Sequence, residues 1–175
     1  MIQQRRRTVI ALALCSVMLF TACPKPSQSA LDKAAKASDT VATRYVESVD
    51  FVTNLYKGGA LKLELKDKIA DALETFGKNG KKFNGLLATY SAQYANGQVP
   101  ANVWSAIAKN FDELSADFLK ILNFLPQAAG LADTKAFRAI SAAVLALAQV
   151  LSENSVIPNL KYQQLEREAH TYGLA

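Results

Sequence analysis

The sequence predicts an all-α fold, an antiparallel bundle of about five or six helices. Three features lead there. Apolar residues recur at three- and four-residue steps along most of the chain beyond residue 29. Glycine or proline marks most of the breaks between these stripes, and neither a convincing strand run nor an internal repeat of fixed period stands out. The composition allows such a bundle a core: of 175 residues, 50% are hydrophobic and 20% charged, with only 8 Gly and 5 Pro. This is one domain's worth of sequence, neither disordered nor collagen-like.

The first element is an export signal rather than part of the bundle. Arg5, Arg6 and Arg7 form a positive start, Thr8 to Ala22 is uncharged and largely apolar, and small Thr21 and Ala22 precede Cys23. A membrane-spanning helix needs roughly 20 apolar residues, and the polar segment after Cys23 offers no continuation. Leu19-Phe20-Thr21-Ala22-Cys23 resembles the lipobox of bacterial lipoprotein precursors, with Phe20 where leucine is usual. Cys15 fits less well, because bulky Leu14 precedes it. The resemblance covers about the first 25 residues. It implies cleavage after residue 22, a diacylglycerol thioether on Cys23 and a further acyl chain, such as palmitate, on its amine. The alternative is an ordinary cleaved signal that releases a soluble protein with a free thiol.

Cleavage before Cys23 would remove Cys15 and so leave no disulfide partner within the chain. It would also remove three arginines and no acidic residue, lowering the net charge from +5 to +2. The remainder lacks the clustered basic stripe that a phosphate backbone requires, which excludes nucleic acid as a partner. Lys78, Lys81 and Lys82, the densest basic group, read as a solvated loop around Gly80.

Residues 23–28 form a short tether, and six steps from Cys23 to Ser29 span at most about 20 Å. The bundle, residues 29–175, would therefore ride close to a bilayer. Ser29 with Asp32 resembles a capping box. Leu31, Ala34, Ser38, Ala42, Tyr45, Val49, Val52 and Tyr56 then continue a stripe that Gly58-Gly59 closes. A second helix is expected over Ala60–Phe76, carried by Leu65, Ile69, Leu73 and Phe76. Gly77 to Gly80 reads as a turn, followed by a third stripe of Phe83, Leu86, Leu87, Tyr90 and Tyr94 ending near Asn96-Gly97.

Pro100 suits a first helical turn, and the clearest periodicity follows: Val103, Trp104, Ile107, Phe111, Leu114, Phe118, Ile121, Leu122 and Leu125, closed by Pro126. Asp133 or Thr134 can cap a fifth helix holding Phe137, Ile140, Val144, Leu147 and Leu151. Ala139 to Leu151 is apolar nearly all round, which places this helix in the middle of the bundle. At 13 residues the stretch is too short to span, and a membrane-inserting hairpin is the alternative. After a break at 154–157, Pro158 opens a last helix with Leu160, Leu165 and Ala169 as its apolar positions.

No catalytic set emerges. His170, the one histidine, sits near a helix C-terminus where a protonated ring complements the dipole. Glu166 and His170 share a helical face, but zinc wants more nitrogen or sulfur ligands, and a di-iron bundle wants two Glu-x-x-His pairs. A hydrolase acting through His170 alone would lack an elbow serine and a free thiol. Glu113 and Asp117 read as surface charge rather than a glycosidase pair. Tyr45, Tyr56, Tyr90, Tyr94 and Trp104 read as core or helix-contact residues, with a ligand groove as the alternative.

The expectation is a non-enzymatic lipoprotein of the bacterial cell envelope without cofactor or metal. Acyl chains on Cys23 would anchor it to the membrane, and its helical domain would bind or scaffold another envelope component. Pro24 after the cysteine implies, by the same resemblance, outer-membrane sorting in a Gram-negative host. The competing expectation is a membrane-active or phage- or plasmid-type surface exclusion protein that uses the apolar 139–151 helix.

Overall fold

A computed structural model describes residues 28–95, 98–128 and 135–174. Among the described residues the fold is all-α, with five helices packed on one another and no strand. They are α1 (Gln28–Lys57), α2 (Leu63–Gln93), α3 (Ala101–Ala128), α4 (Lys135–Glu153) and α5 (Asn159–Thr171). The segment up to residue 27, with Cys23 and the expected signal and tether, lies outside the described residues, as do Asn96-Gly97 and the expected caps Asp133 and Thr134.

α1, α2 and α3 run antiparallel in turn. From Tyr45 opposite Gly77, through Asp39 with Asn84, to Asp32 with Ser91, each step back along α1 is a step forward along α2. The pairs Phe76–Phe118 and Phe83–Phe111 show the same sense for α2 and α3. α4 packs on the other flank of α1, where Phe51 meets Phe137 edge to face at 5.9 Å. α5 contacts both α4 and α3. It runs parallel to α3, since Lys161 reaches Asp112 and Tyr172 reaches Asn123. The order around the bundle is thus α3, α2, α1, α4, with α5 closing the side between α4 and α3.

The expected stripes supply the core. Every position from Val103 to Leu122 in the α3 stripe is buried, as are Phe137, Ile140, Val144, Leu147 and Leu151 in α4. Helix ends follow from backbone chemistry. Gly59 at φ 73° lets Ala60 N–H reach Leu55 C=O at 3.0 Å, and Gly173 at φ 68° lets Leu174 N–H reach Ala169 C=O at 2.9 Å. The same turn ends α4, with Ser155 in the left-handed region at φ 56° and Val156 N–H on Leu151 C=O at 2.8 Å.

Four expectations need correction. The turn at Gly77–Gly80 does not exist: the expected second and third helices are one continuous α2 of 31 residues. Two interior glycines disfavour a helix by about 1 kcal/mol each, but Gly77 allows a close approach of α1. A Cβ at position 77 would stand 2.5 Å from Tyr45 Cζ and Oη, while one at 80 would touch Leu114 of α3 at 3.7 Å. Aromatic burial on both sides, by Phe76 and Phe83, outweighs the propensity loss.

The second correction is that α4 is not enclosed. Arg138, Ala142, Ala146 and Gln149 form an exposed stripe, because alanines can face solvent at little loss. Third, α4 has 19 residues and is, among the described residues, the one helix long and apolar enough to cross a membrane. Length therefore does not exclude a span, although eight of its residues are buried in the bundle. Fourth, Leu160 is 74% exposed and Ala42 is also exposed, whereas Val41 and Ser48 are buried. α1 serves two neighbours and needs two buried stripes rather than one.

Gly85 differs from the other two glycines of α2, since nothing lies within 4 Å of a Cβ built there. Gly85→Ala should therefore raise stability by about 0.5–1 kcal/mol. Gly77→Leu should lower it by displacing the Tyr45 ring. Thermal melts by circular dichroism check both, the first moving up by roughly 1–4 °C.

Candidate functional site

The seam between α1 and α2 is incompletely filled. Both helices turn small side chains outward along it, Ala35, Ser38 and Ala42 from α1 and Gly77, Gly85 and Ala88 from α2. An open, mainly apolar groove of about 750 Å³ results, with Leu114 of α3 at its floor. Ala35 to Val46 on α1 gives it a length of about 16 Å at the helical rise. Tyr45 closes one end, and beyond it a smaller hollow of about 190 Å³ continues toward Tyr56 and Lys66. Tyr45 thus stands between two hollows, its ring 6.2 Å from Phe76 and its hydroxyl end over Gly77.

Polar groups hold the seam shut below and edge it above. Asn84 Nδ2 donates to Asp39 Oδ1 at 2.8 Å, and Ser91 Oγ donates to Asp32 Oδ1 at 2.7 Å, both from α2 to α1. On the α2 lip, Lys78 Nζ lies 2.6 Å from Glu74 Oε1. That hydrogen bond, aided by the opposite charge, lowers the Glu74 carboxyl from its ordinary value and raises the Lys78 ammonium. Val46, 55% exposed, adds an apolar shoulder on the α1 side. The Lys66 ammonium sits 5.1 Å above the Tyr56 ring, a cation–π contact at the far end.

The candidate catalytic residues are not brought together. His170 is exposed in the last turn of α5, and its backbone carbonyl accepts from Gly173 N–H. Glu166 accepts from the Tyr162 hydroxyl at 3.1 Å. Among the described residues no group of three or more His, Cys, Asp or Glu side chains could hold a metal ion. Cys23, the expected lipidation site, lies outside the described residues.

Glu113 and Asp117 behave differently from a surface pair. Glu113 accepts from Lys82 of α2 at 3.0 Å. Asp117 is only 4% exposed and accepts from Asn79 Nδ2 at 2.6 Å and Lys120 Nζ at 2.8 Å. Both carboxylates clamp α3 to α2. The lysines expected in a loop are helical, with Lys78 and Lys82 in ion pairs and Lys81 on the groove lip. Of the five aromatics weighed as groove residues, Tyr45 and Tyr56 line the seam. Tyr90 and Tyr94 stack on each other at 6.3 Å, and Trp104 is buried in α3.

The groove itself was missed by periodicity, which searches for large apolar residues. Its signal was the small ones: Ala35, Ser38 and Ala42 at helical steps, facing a helix with three glycines. Comparison with protein-family models, curated proteins and solved structures finds no match for this chain.

Two measurements test these contacts. Asn79→Ala leaves a buried carboxylate oxygen of Asp117 without its donor and should lower stability by about 1–3 kcal/mol. Lys120→Ala removes a partner that is 64% exposed and should cost less than about 1 kcal/mol. Urea titrations of the two variants separate the cases.

At Tyr162, burial and, next, the Glu166 hydrogen bond raise the phenol above its ordinary value of 10.0. The unfolded chain then ionises first. The phenol's contribution is complete below pH 10 and is lost as pH rises through the folded value. Urea midpoints between roughly pH 9 and 11 should fall less steeply for Tyr162→Phe than for the parent.

Proposed function

We propose that this chain is a lipid-anchored lipoprotein of the bacterial cell envelope whose helical domain is a binding module without catalytic activity. The binding half rests on one observation, the open apolar groove along α1 and α2. Ligand sites are typically concave, of about 300–1,000 Å³, and mostly apolar with a few polar groups at the edge. This groove has that size and lining. The anchoring half rests on the lipobox-like Leu19-Phe20-Thr21-Ala22-Cys23 and the positive Arg5-Arg6-Arg7 start.

The two halves are physically compatible. Buried acyl methylenes contribute about 0.8 kcal/mol each, so two or three chains on Cys23 hold a domain of this size at a membrane. α1 begins at Gln28, five residues beyond Cys23, and the groove opens at Ala35, fewer than two helical turns further on. A domain so tethered presents the groove close to the lipid surface. In a Gram-negative host, Pro24 directs the reading to the outer membrane.

Intact mass of the protein extracted from bacterial membranes tests the anchor. The expected species begins at Cys23 and carries a diacylglycerol thioether plus an amide-linked acyl chain. Cys23→Ser should abolish that modification and leave the precursor unprocessed. An unmodified Cys23 in the parent protein, or a Cys23→Ser variant with unaltered processing and detergent partitioning, overturns the anchoring.

A further inference from the structure

The groove can be assigned a ligand class. Three observations converge on it, and the assignment rests on the binding half of the proposed function.

The first is Gly85. Gly77 is explained by the fold, because the Tyr45 ring comes within 2.5 Å of where its Cβ would stand. Gly85 lies in the interior of α2, its backbone is not in the left-handed region, and a Cβ there would meet nothing within 4 Å. Alanine would favour the helix at no steric loss. Nothing within the fold accounts for a glycine there, whereas a ligand passing close to the helix backbone does. Gly85 lines the groove, facing the Ala35–Ala42 side of α1.

The second observation is width. Asp39 and Asn84 both line the groove and are joined to each other at 2.8 Å. An α-helix with its side chains is about 10–12 Å across and could only rest on top of that link. A single polymethylene chain is narrow enough to lie along the floor between Leu114 and the small residues of both walls. The length, about 16 Å at the helical rise, also suits one extended chain.

The third is the charge of the lips. Asp39 and Glu74 face Lys78 and Lys81 around the same opening, two charges of each sign. Glu74 and Lys78 are already paired, and among the described residues Lys81 has no ion pair. A balanced rim gives little attraction for a purely anionic head, and it complements a head that itself carries one phosphate and one ammonium. We infer that the α1–α2 groove binds a single-chain zwitterionic amphiphile, a lysophospholipid of the phosphoethanolamine type. The acyl chain lies over Gly85, and the head group meets the Asp39, Lys78 and Lys81 lip.

Photoaffinity labelling of the full chain tests this. Membranes from bacteria expressing the protein are incubated with lysophosphatidylethanolamine carrying a diazirine near the end of its chain, irradiated, and the adducts mapped by peptide mass spectrometry. Adducts are expected in the peptides that contain Ala42 and Gly85. Gly85→Leu puts a side chain into open space in the groove, so it should lower labelling at least about tenfold while the thermal melt shows an intact fold. Gly85→Ala should lower labelling by a smaller factor, since its Cβ meets the chain that passes close to the backbone. Palmitate bearing the same diazirine should label at least about tenfold less. Adducts scattered over the surface, or unchanged by Gly85→Leu, overturn the site. Equal labelling by palmitate overturns the zwitterionic head. The Cys23→Ser chain, labelled in parallel, separates the two readings: retained anchoring with groove adducts overturns only the anchor, and lost anchoring without groove adducts in either chain overturns only this ligand.

Discussion

The close approach of α1 to α2 at Gly77 is the constraint on which the bundle is built. At Gly77 the helix backbone lies under the Tyr45 ring of α1, and at Gly80 it lies over Leu114 of α3. The two sites are less than one turn apart, so α2 meets both partners near its middle. On either side of these sites, Phe76 and Phe83 pack against Phe118 and Phe111. A larger residue at 77 would displace the Tyr45 ring and push α1 away. The polar clamps depend on the same continuous helix. Asn79 reaches a buried Asp117, and Lys82 reaches Glu113, only because α2 remains helical through the glycines and keeps both side chains on its α3 face.

This dependence explains which parts of the fold were legible in the sequence. Large apolar residues at helical steps mark buried faces wherever a helix has one main neighbour. The α3 stripe from Val103 to Leu122 and the α4 stripe from Phe137 to Leu151 were accordingly read correctly. α1 has two neighbours, and a single stripe misplaced Ala42 and overlooked Val41 and Ser48. Gly77 was misread because propensity and turn chemistry are local, whereas its reason lies in Tyr45, more than thirty positions away in the chain. Asp117 failed for a related reason: its burial is set by Asn79 of another helix. The groove was legible only as an absence of bulk.

Seen along the chain, α2 divides its small residues between two uses. At 77 a glycine lets α1 come close, and at 85 and 88 small residues leave space between the same helices. Two helices tied at Tyr45–Gly77, Asp39–Asn84 and Asp32–Ser91 would ordinarily fill the remaining volume with leucine or phenylalanine, since packing gains rise with buried area. Here the ties are retained without the filling. Cross-helix hydrogen bonds hold the walls in place, so the groove does not depend on a packed interior for its shape. A hollow held by such ties keeps its form when empty, which lowers the ordering needed when a ligand enters.

The membrane-facing alternative weighs differently once the packing is known. α4 has the length and composition of a span, yet Phe137, Ile140, Val144 and Leu147 of that helix are the residues that cover α1 and receive α5. Withdrawing α4 into a bilayer would expose Phe51 and strip α5 of its main support. The apolar area gained in lipid is area the helix already hides from water in the bundle, so the transfer gains little on α4 while exposing its former partners. The groove needs no such rearrangement, because its apolar surface is already open. Between an apolar helix that must be unpacked and an apolar groove that is ready formed, only the groove offers apolar surface without disturbing the fold.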